Sequence, residues 1–119
     1  MIKAVNMTDA AALLGDAPAR LLASDGIKGQ PPMEREVAAI ERPSDGVRVG
    51  LWACGPYQET YDSYPVDEFM VMISGRVELV YPDGSTDTFM AGDAFVLPKG
   101  FAGIWRQPEE VVKYFAIIA

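Results

Sequence analysis

Any chemistry in this chain has to start from carboxylates and phenols, because the sequence contains no histidine and a single cysteine. Histidine is the commonest general base and the commonest metal ligand. One cysteine without histidine leaves no Cys/His zinc set within a chain. The most pointed residue is Glu68, at the head of Glu68-Phe-Met-Val-Met-Ile73. Side chains alternate faces along a strand, so Glu68, Met70 and Met72 share one face and Phe69, Val71 and Ile73 the other. A carboxylate on an apolar face is costly unless it meets a cation, a metal, hydrogen-bond donors or a ligand. Two readings stand side by side: a pocket acid, or one half of an ion pair with Arg48, Lys99, Arg106 or Lys113. With both faces otherwise apolar, the strand should be covered on both sides, as a barrel wall beneath a partner subunit would be.

Two further oxygen-bearing residues precede Glu68. Asp62, Tyr64 and Glu68 together form a set suited to Mg²⁺, Ca²⁺ or Mn²⁺ rather than zinc. The expectation is no cofactor, with these three as the place for a divalent cation if one binds. Without a metal, Glu68 as base and Tyr64 as acid suffice for isomerisation, epimerisation or hydrolysis. Trp52, Tyr57, Tyr61, Tyr64, Phe101 and Trp105 are dense for so short a span. They read either as core or as the lining of a pocket for a flat or sugar-like ligand. Trp52, Tyr57 and Trp105, with Asp62 and Met70, are the expected ligand contacts, Trp105 foremost. Cys54 reads as a small buried residue, and Lys99 as the tip of an exposed turn.

Short strands must position these groups. Asn6 to Leu14 reads as one helix, capped by Asn6 or Thr8 and ended by Gly15. Ala23 to Pro32 reads as a connecting loop. From Met33 onward, strands of about six residues alternate with turn residues: Val37–Glu41, Val47–Cys54, Phe69–Ile73, Arg76–Tyr81, Thr86–Met90, Ala94–Leu97, Gly103–Arg106 and Val111–Ile118. Many short strands at this spacing suggest an all-β sandwich or closed barrel. The domain reading is therefore a helix and loop over 1–32 and one barrel domain over 33–119.

The turn residues carry a family resemblance. Glu68 is followed after six residues by Gly75, and Gly92-Asp-Ala-Phe-Val-Leu-Pro98-Lys-Gly100 reproduces G-(x)5-P-x-G. In that order, with the Pro82-Asp-Gly84 hairpin between them, these blocks resemble the two motifs of the cupin superfamily. The finer pattern runs through Trp52-x-Cys54-Gly-Pro56, Asp67-Glu68-Phe, Gly75-Arg-Val, Gly92-Asp93, Pro98-Lys-Gly100-Phe and Trp105. It is similar to the subgroup of the ureidoglycine aminohydrolase cupin domain and to the ethanolamine-utilisation cupins. The resemblance implies a double-stranded β-helix, or jelly-roll, with a pocket inside the barrel and often a homodimer. The metal-binding histidines of the family are missing. Their positions fall on Asp62 and Tyr64 (or Tyr61 and Ser63) and on Gly103, and the family's asparagine position falls on Gln107. Of the four ligand positions only Glu68 survives, so the metal-dependent aminohydrolase reaction is not simply inherited.

The chain has 119 residues and a net charge of −7. The acids are spread rather than clustered, which disfavours nucleic acid, since phosphate neutralisation needs grouped Lys and Arg. It disfavours an anionic membrane surface as well. No apolar run approaches the ~20 residues of a membrane span, and the first residues have no signal-peptide pattern. A lone cysteine fits a reducing cytoplasm. The functional expectation is a metal-independent cupin binding a small molecule. The alternatives are a dimerising structural or sensor module, and an oxygen-ligand metalloenzyme.

Overall fold

In the computed structural model, which describes residues 1–119, glycine- and proline-bearing turns cut the chain into ten strands, one α-helix and a short 3-10 helix (Pro43–Asp45). The strands are β1 (Arg20–Leu21), β2 (Met33–Arg42), β3 (Val47–Cys54), β4 (Tyr57–Tyr61), β5 (Asp67–Ser74), β6 (Arg76–Val80), β7 (Thr86–Met90), β8 (Ala94–Leu97), β9 (Gly103–Gln107) and β10 (Val111–Ile118). They form two antiparallel sheets, β1-β2-β3-β10-β5-β8 and β4-β9-β6-β7. The fold is the jelly-roll that the motifs imply. Alternating residues of both sheets point inward, and Met70, Met72, Val77, Leu79, Phe95 and Leu97 are among those that fill the core. Each such side chain contributes about 1.5–3 kcal/mol by leaving water.

The helix, α1 (Ala10–Gly15), starts four residues later than Asn6. The cap is Asp9, whose carboxylate accepts from Ala12 N at 3.1 Å. Asn6 instead accepts from Thr8 N at 2.9 Å, a local turn that bends the chain before the helix rather than opening it. β2 runs further at both ends than Val37–Glu41. β4 is a strand that the break at Gly55-Pro56 concealed. The loop before β2 is also more ordered in its pairing than a plain connection. Lys28 N donates to Gln58 O at 2.9 Å and Thr60 N donates to Gly26 O at 3.0 Å, with Ile27 bridging Glu59. Residues 22–28 thus form a strap along the free edge of β4. Gly26 is required there, because a Cβ would run into the Thr60 carbonyl.

Within the chain itself, β5 is fully covered on one face. Glu68, Met70 and Met72 face the core and are buried, but Phe69 on the outer face is 47% exposed. The chain's own cover stops short of it. α1 packs on β2 and β3, where Leu51 is fully buried, and the Tyr114 hydroxyl donates to Met7 O at 2.6 Å. No helix is long and apolar enough to cross a membrane.

Candidate functional site

The charged centre of the barrel is a residue that sequence reasoning named only as a possible ion-pair partner. β10 alternates Val111, Lys113 and Phe115 inward, and this places a lysine in the core. Lys113 Nζ lies 2.9 Å from Glu68 Oε2, 3.1 Å from Met70 Sδ, and 4.6 and 4.9 Å from the ring centroids of Trp52 and Trp105. The Lys113 and Glu68 side chains are only 7% and 6% exposed. Indole faces attract a cation through the ring quadrupole, more strongly when water is excluded. Both rings are pinned so as to offer those faces. Trp52 Nε1 donates to the buried Glu34 at 2.7 Å, and Trp105 Nε1 donates to Gln107 at 2.9 Å. Gln107 in turn donates to the carbonyls of Cys54 and Gly55 at 3.0 and 2.8 Å.

Of the ion-pair partners considered for Glu68, the structure selects Lys113. Arg106 pairs with Glu78 at 2.9 Å, Arg48 pairs with Glu36, and the Lys99 backbone N–H is bonded to Asp67. The second oxygen of Glu68 accepts from the Tyr64 hydroxyl at 2.6 Å, so both its oxygens are engaged. Burial, then the charge of Glu68 and that hydrogen bond, push the Tyr64 phenol far above its ordinary range. Burial likewise raises Tyr57 and Tyr61, the latter also through the charge of Glu59. Phenols so raised keep their protons. Tyr64 therefore holds Glu68 by a hydrogen bond.

These groups border a cavity of about 150 Å³. Of the residues expected at a ligand, Trp52, Tyr57, Tyr64, Glu68 and Trp105 line it. Asp62 does not: β4 ends at Tyr61, and Asp62 falls in the bend beyond, exposed to solvent. Met70 does not line it either. It is fully buried and touches the site only through its sulfur on Lys113. Sequence reasoning missed Glu59, which also lines the cavity. Its signal was present in Tyr57-Gln-Glu59-Thr-Tyr61, where alternation puts the acid between two inward aromatics. A larger groove of about 840 Å³ runs under α1 on the outside of the barrel, with Arg35 and Glu110 as the charged residues of its lining. The chemistry is concentrated in the smaller cavity.

The residues present do not fit a divalent metal. Asp62 is turned away, so Asp62, Tyr64 and Glu68 do not converge, and no group of three or more Asp, Glu, His or Cys side chains could hold an ion. Gly103, at the position of the family's last histidine, has φ 152°, and a Cβ there would collide with the Val80 carbonyl and the Phe101 ring. The cation in contact with the surviving ligand, Glu68, is the Lys113 ammonium.

Comparison with known proteins agrees with this architecture. Residues 41–115 match the EutQ-like cupin domain family. A protein of unknown function of the DUF861 family from Pseudomonas syringae superposes with a TM-score of 0.75 at 26% identity, over 86% of this chain and 45% of its own. The chain thus spans less than half the length of that relative. A putative ethanolamine utilization protein Q from Salmonella typhimurium gives a TM-score of 0.63 at 17% identity, over 82% of this chain and 77% of its own. The polyketide cyclase RemF from Streptomyces resistomycificus gives 0.69 at 18%, over 99% and 80%. No curated protein matches the chain.

Proposed function

The chain belongs to the EutQ-like cupin domain family, and on that premise we propose that it is a metal-independent cupin that binds a small oxygen-bearing molecule at a fixed ammonium. The observation that carries this reading is Lys113. Its Nζ is held by Glu68 and by two indole faces at the wall of the cavity. An ammonium has three N–H donors. One goes to Glu68 and one to the Met70 sulfur, a weak acceptor, which leaves one for a ligand oxygen. Glu68 acts by holding Lys113 and is not a free base. A cavity of this volume accepts a ligand about the size of a six-membered ring. The further likeness to the ureidoglycine aminohydrolase subgroup does not extend to its metal-dependent reaction.

Metal analysis of tag-free protein, together with saturation-transfer NMR against small carbonyl and carboxylate compounds, tests the reading. The expected result is substoichiometric metal, insensitivity to chelators, and ligand signals that vanish in Lys113→Met. A divalent ion retained at one per chain would overturn it.

A homodimer belongs to the same reading, with the outer face of the larger sheet as the contact. Phe69 and its cross-strand neighbour Val96 stand 47% and 57% exposed there. Light scattering on the purified protein should give twice the chain mass, and a monomer at micromolar concentration would exclude this contact. The buried Cys54 thiol and the absence of any disulfide partner support a reducing cytoplasm as its setting.

A further inference from the structure

The cavity holds a second buried carboxylate that Lys113 does not neutralise. Of the three buried glutamates, Glu34 pairs with Arg20 and Glu68 with Lys113. Glu59 is 4% exposed and has no cation within ion-pair distance. It accepts a hydrogen bond from the Ser24 hydroxyl of the strap. A buried carboxylate without a counter-ion is expensive unless donors or a ligand meet it, so its place at the wall of a cavity makes it a functional candidate. Glu59 rises from the four-stranded sheet and Lys113 from the six-stranded sheet, and both border the one cavity. Trp105 links them: it is the cross-strand partner of Glu59, and its ring carries the ammonium. A ligand in the cavity therefore meets a fixed cation on one wall and an uncompensated carboxylate on the other.

We propose that this pair enolises a small carbonyl compound, with Lys113 at the carbonyl oxygen and Glu59 as the base at the adjacent carbon. The inference rests on the ligand-binding reading given above. In the step, Glu59 takes the proton of the C–H bond. The bonding pair becomes the new C=C bond, the C=O π pair moves onto oxygen, and the free N–H of Lys113 donates to the resulting enolate. Returning the proton from Glu59 to the same carbon exchanges it with solvent. Where that carbon bears a hydroxyl, passing the hydroxyl proton to the enolate oxygen and the Glu59 proton to the former carbonyl carbon moves the C=O by one position and gives the isomer. No oxidant, reductant or metal enters. A donor placed where negative charge develops and a base placed at the departing proton are the two elements such a transfer needs. Ser24 keeps the Glu59 carboxylate oriented while contributing no charge of its own.

The test is α-proton exchange in D₂O followed by ¹H NMR, with pyruvate, dihydroxyacetone and cyclopentanone as probes. Binding of each probe is measured in parallel by saturation transfer. The expected result is exchange above the buffer rate for at least one probe, falling at least ~100-fold in Glu59→Gln while binding persists, and losing both exchange and binding in Lys113→Met. Glu59→Asp, which keeps the charge but withdraws it, should fall in between, and circular dichroism establishes that each variant is folded. Exchange undiminished in Glu59→Gln would overturn the assignment. Binding without exchange of any probe would overturn the inference and leave the binding reading standing. Neither binding nor exchange would remove both.

Discussion

Replacing Lys113 with methionine separates a fixed ammonium from a lysine that merely fills space. Methionine has similar bulk and suits the apolar contacts with Trp52 and Trp105, so the change removes mainly charge. At 2.9 Å and an effective dielectric of about 20, Coulomb's law gives an attraction of about 332/(20 × 2.9), or roughly 6 kcal/mol. Little of it is screened, since both side chains are almost wholly buried. In Lys113→Met the Glu68 carboxylate keeps only the Tyr64 hydroxyl. Breaking a buried pair by removing one partner costs about 3–5 kcal/mol. For a domain of this size that is a drop of roughly 10–25 °C in the melting midpoint. Removing both charges in Lys113→Met/Glu68→Leu should recover most of the loss, because a well-packed apolar replacement of a buried pair is often neutral. Urea denaturation of wild type, both single variants and the double variant closes the cycle. A Lys113→Met protein within about 0.5 kcal/mol of wild type, the level of an ordinary surface change, would refute the ion pair and with it the fixed cation.

Other outcomes follow from the same geometry. Burial first, then the charge of Glu34, raises the Cys54 thiol to about 12, so it should ignore Ellman's reagent at pH 8 and react only after unfolding. Rapid labelling of the native protein would contradict its placement. The same shift predicts alkaline lability. A thiol whose folded pKa of about 12 lies above its ordinary 9.0 contributes stability that is intact below about pH 9 and lost as pH rises toward 12. The raised Tyr57, Tyr61 and Tyr64 phenols act in the same direction. Urea midpoints at pH 8 and pH 11 should show the decline, and equal midpoints would contradict it. Gly103→His should not recruit zinc. It should destabilise the fold by about 2 kcal/mol or more, because the residue has left-handed φ and no room for a Cβ, as calorimetry with and without zinc would show.

Much of the barrel was legible in the sequence because its strands end at glycines and prolines with fixed turn chemistry. Val47–Cys54, Thr86–Met90, Ala94–Leu97 and Val111–Ile118 all fall where the pattern put them. β4 was missed although Tyr57-Gln-Glu59-Thr-Tyr61 alternates, because Gly55-Pro56 reads as a stop and five residues after it are too few to stand as a strand without their pairing with β9. Losing β4 meant losing Glu59 and misplacing Asp62, whose direction depends on where that strand ends. Glu68 could be recognised as needing a partner, but four cations were candidates. The choice of Lys113 depends on β10 and β5 being neighbours in one sheet, a contact between distant parts of the chain that no local pattern encodes. The outer face of β5 could not be settled either, because apolar side chains look alike whether a helix covers them or nothing in the chain does.

The strap is a lightly held part of the cavity's wall. Residues 22–28 contribute Leu22 to the cavity wall and Ser24 to Glu59, and beyond that side-chain bond they hold to β4 through a single bridge and its two backbone bonds at Lys28 and Thr60. Few bonds at a sheet edge mean a low free energy of local opening. Local opening of this short stretch would withdraw Ser24 from Glu59 while both sheets stay paired, so the surroundings of a buried carboxylate depend on a segment outside either sheet.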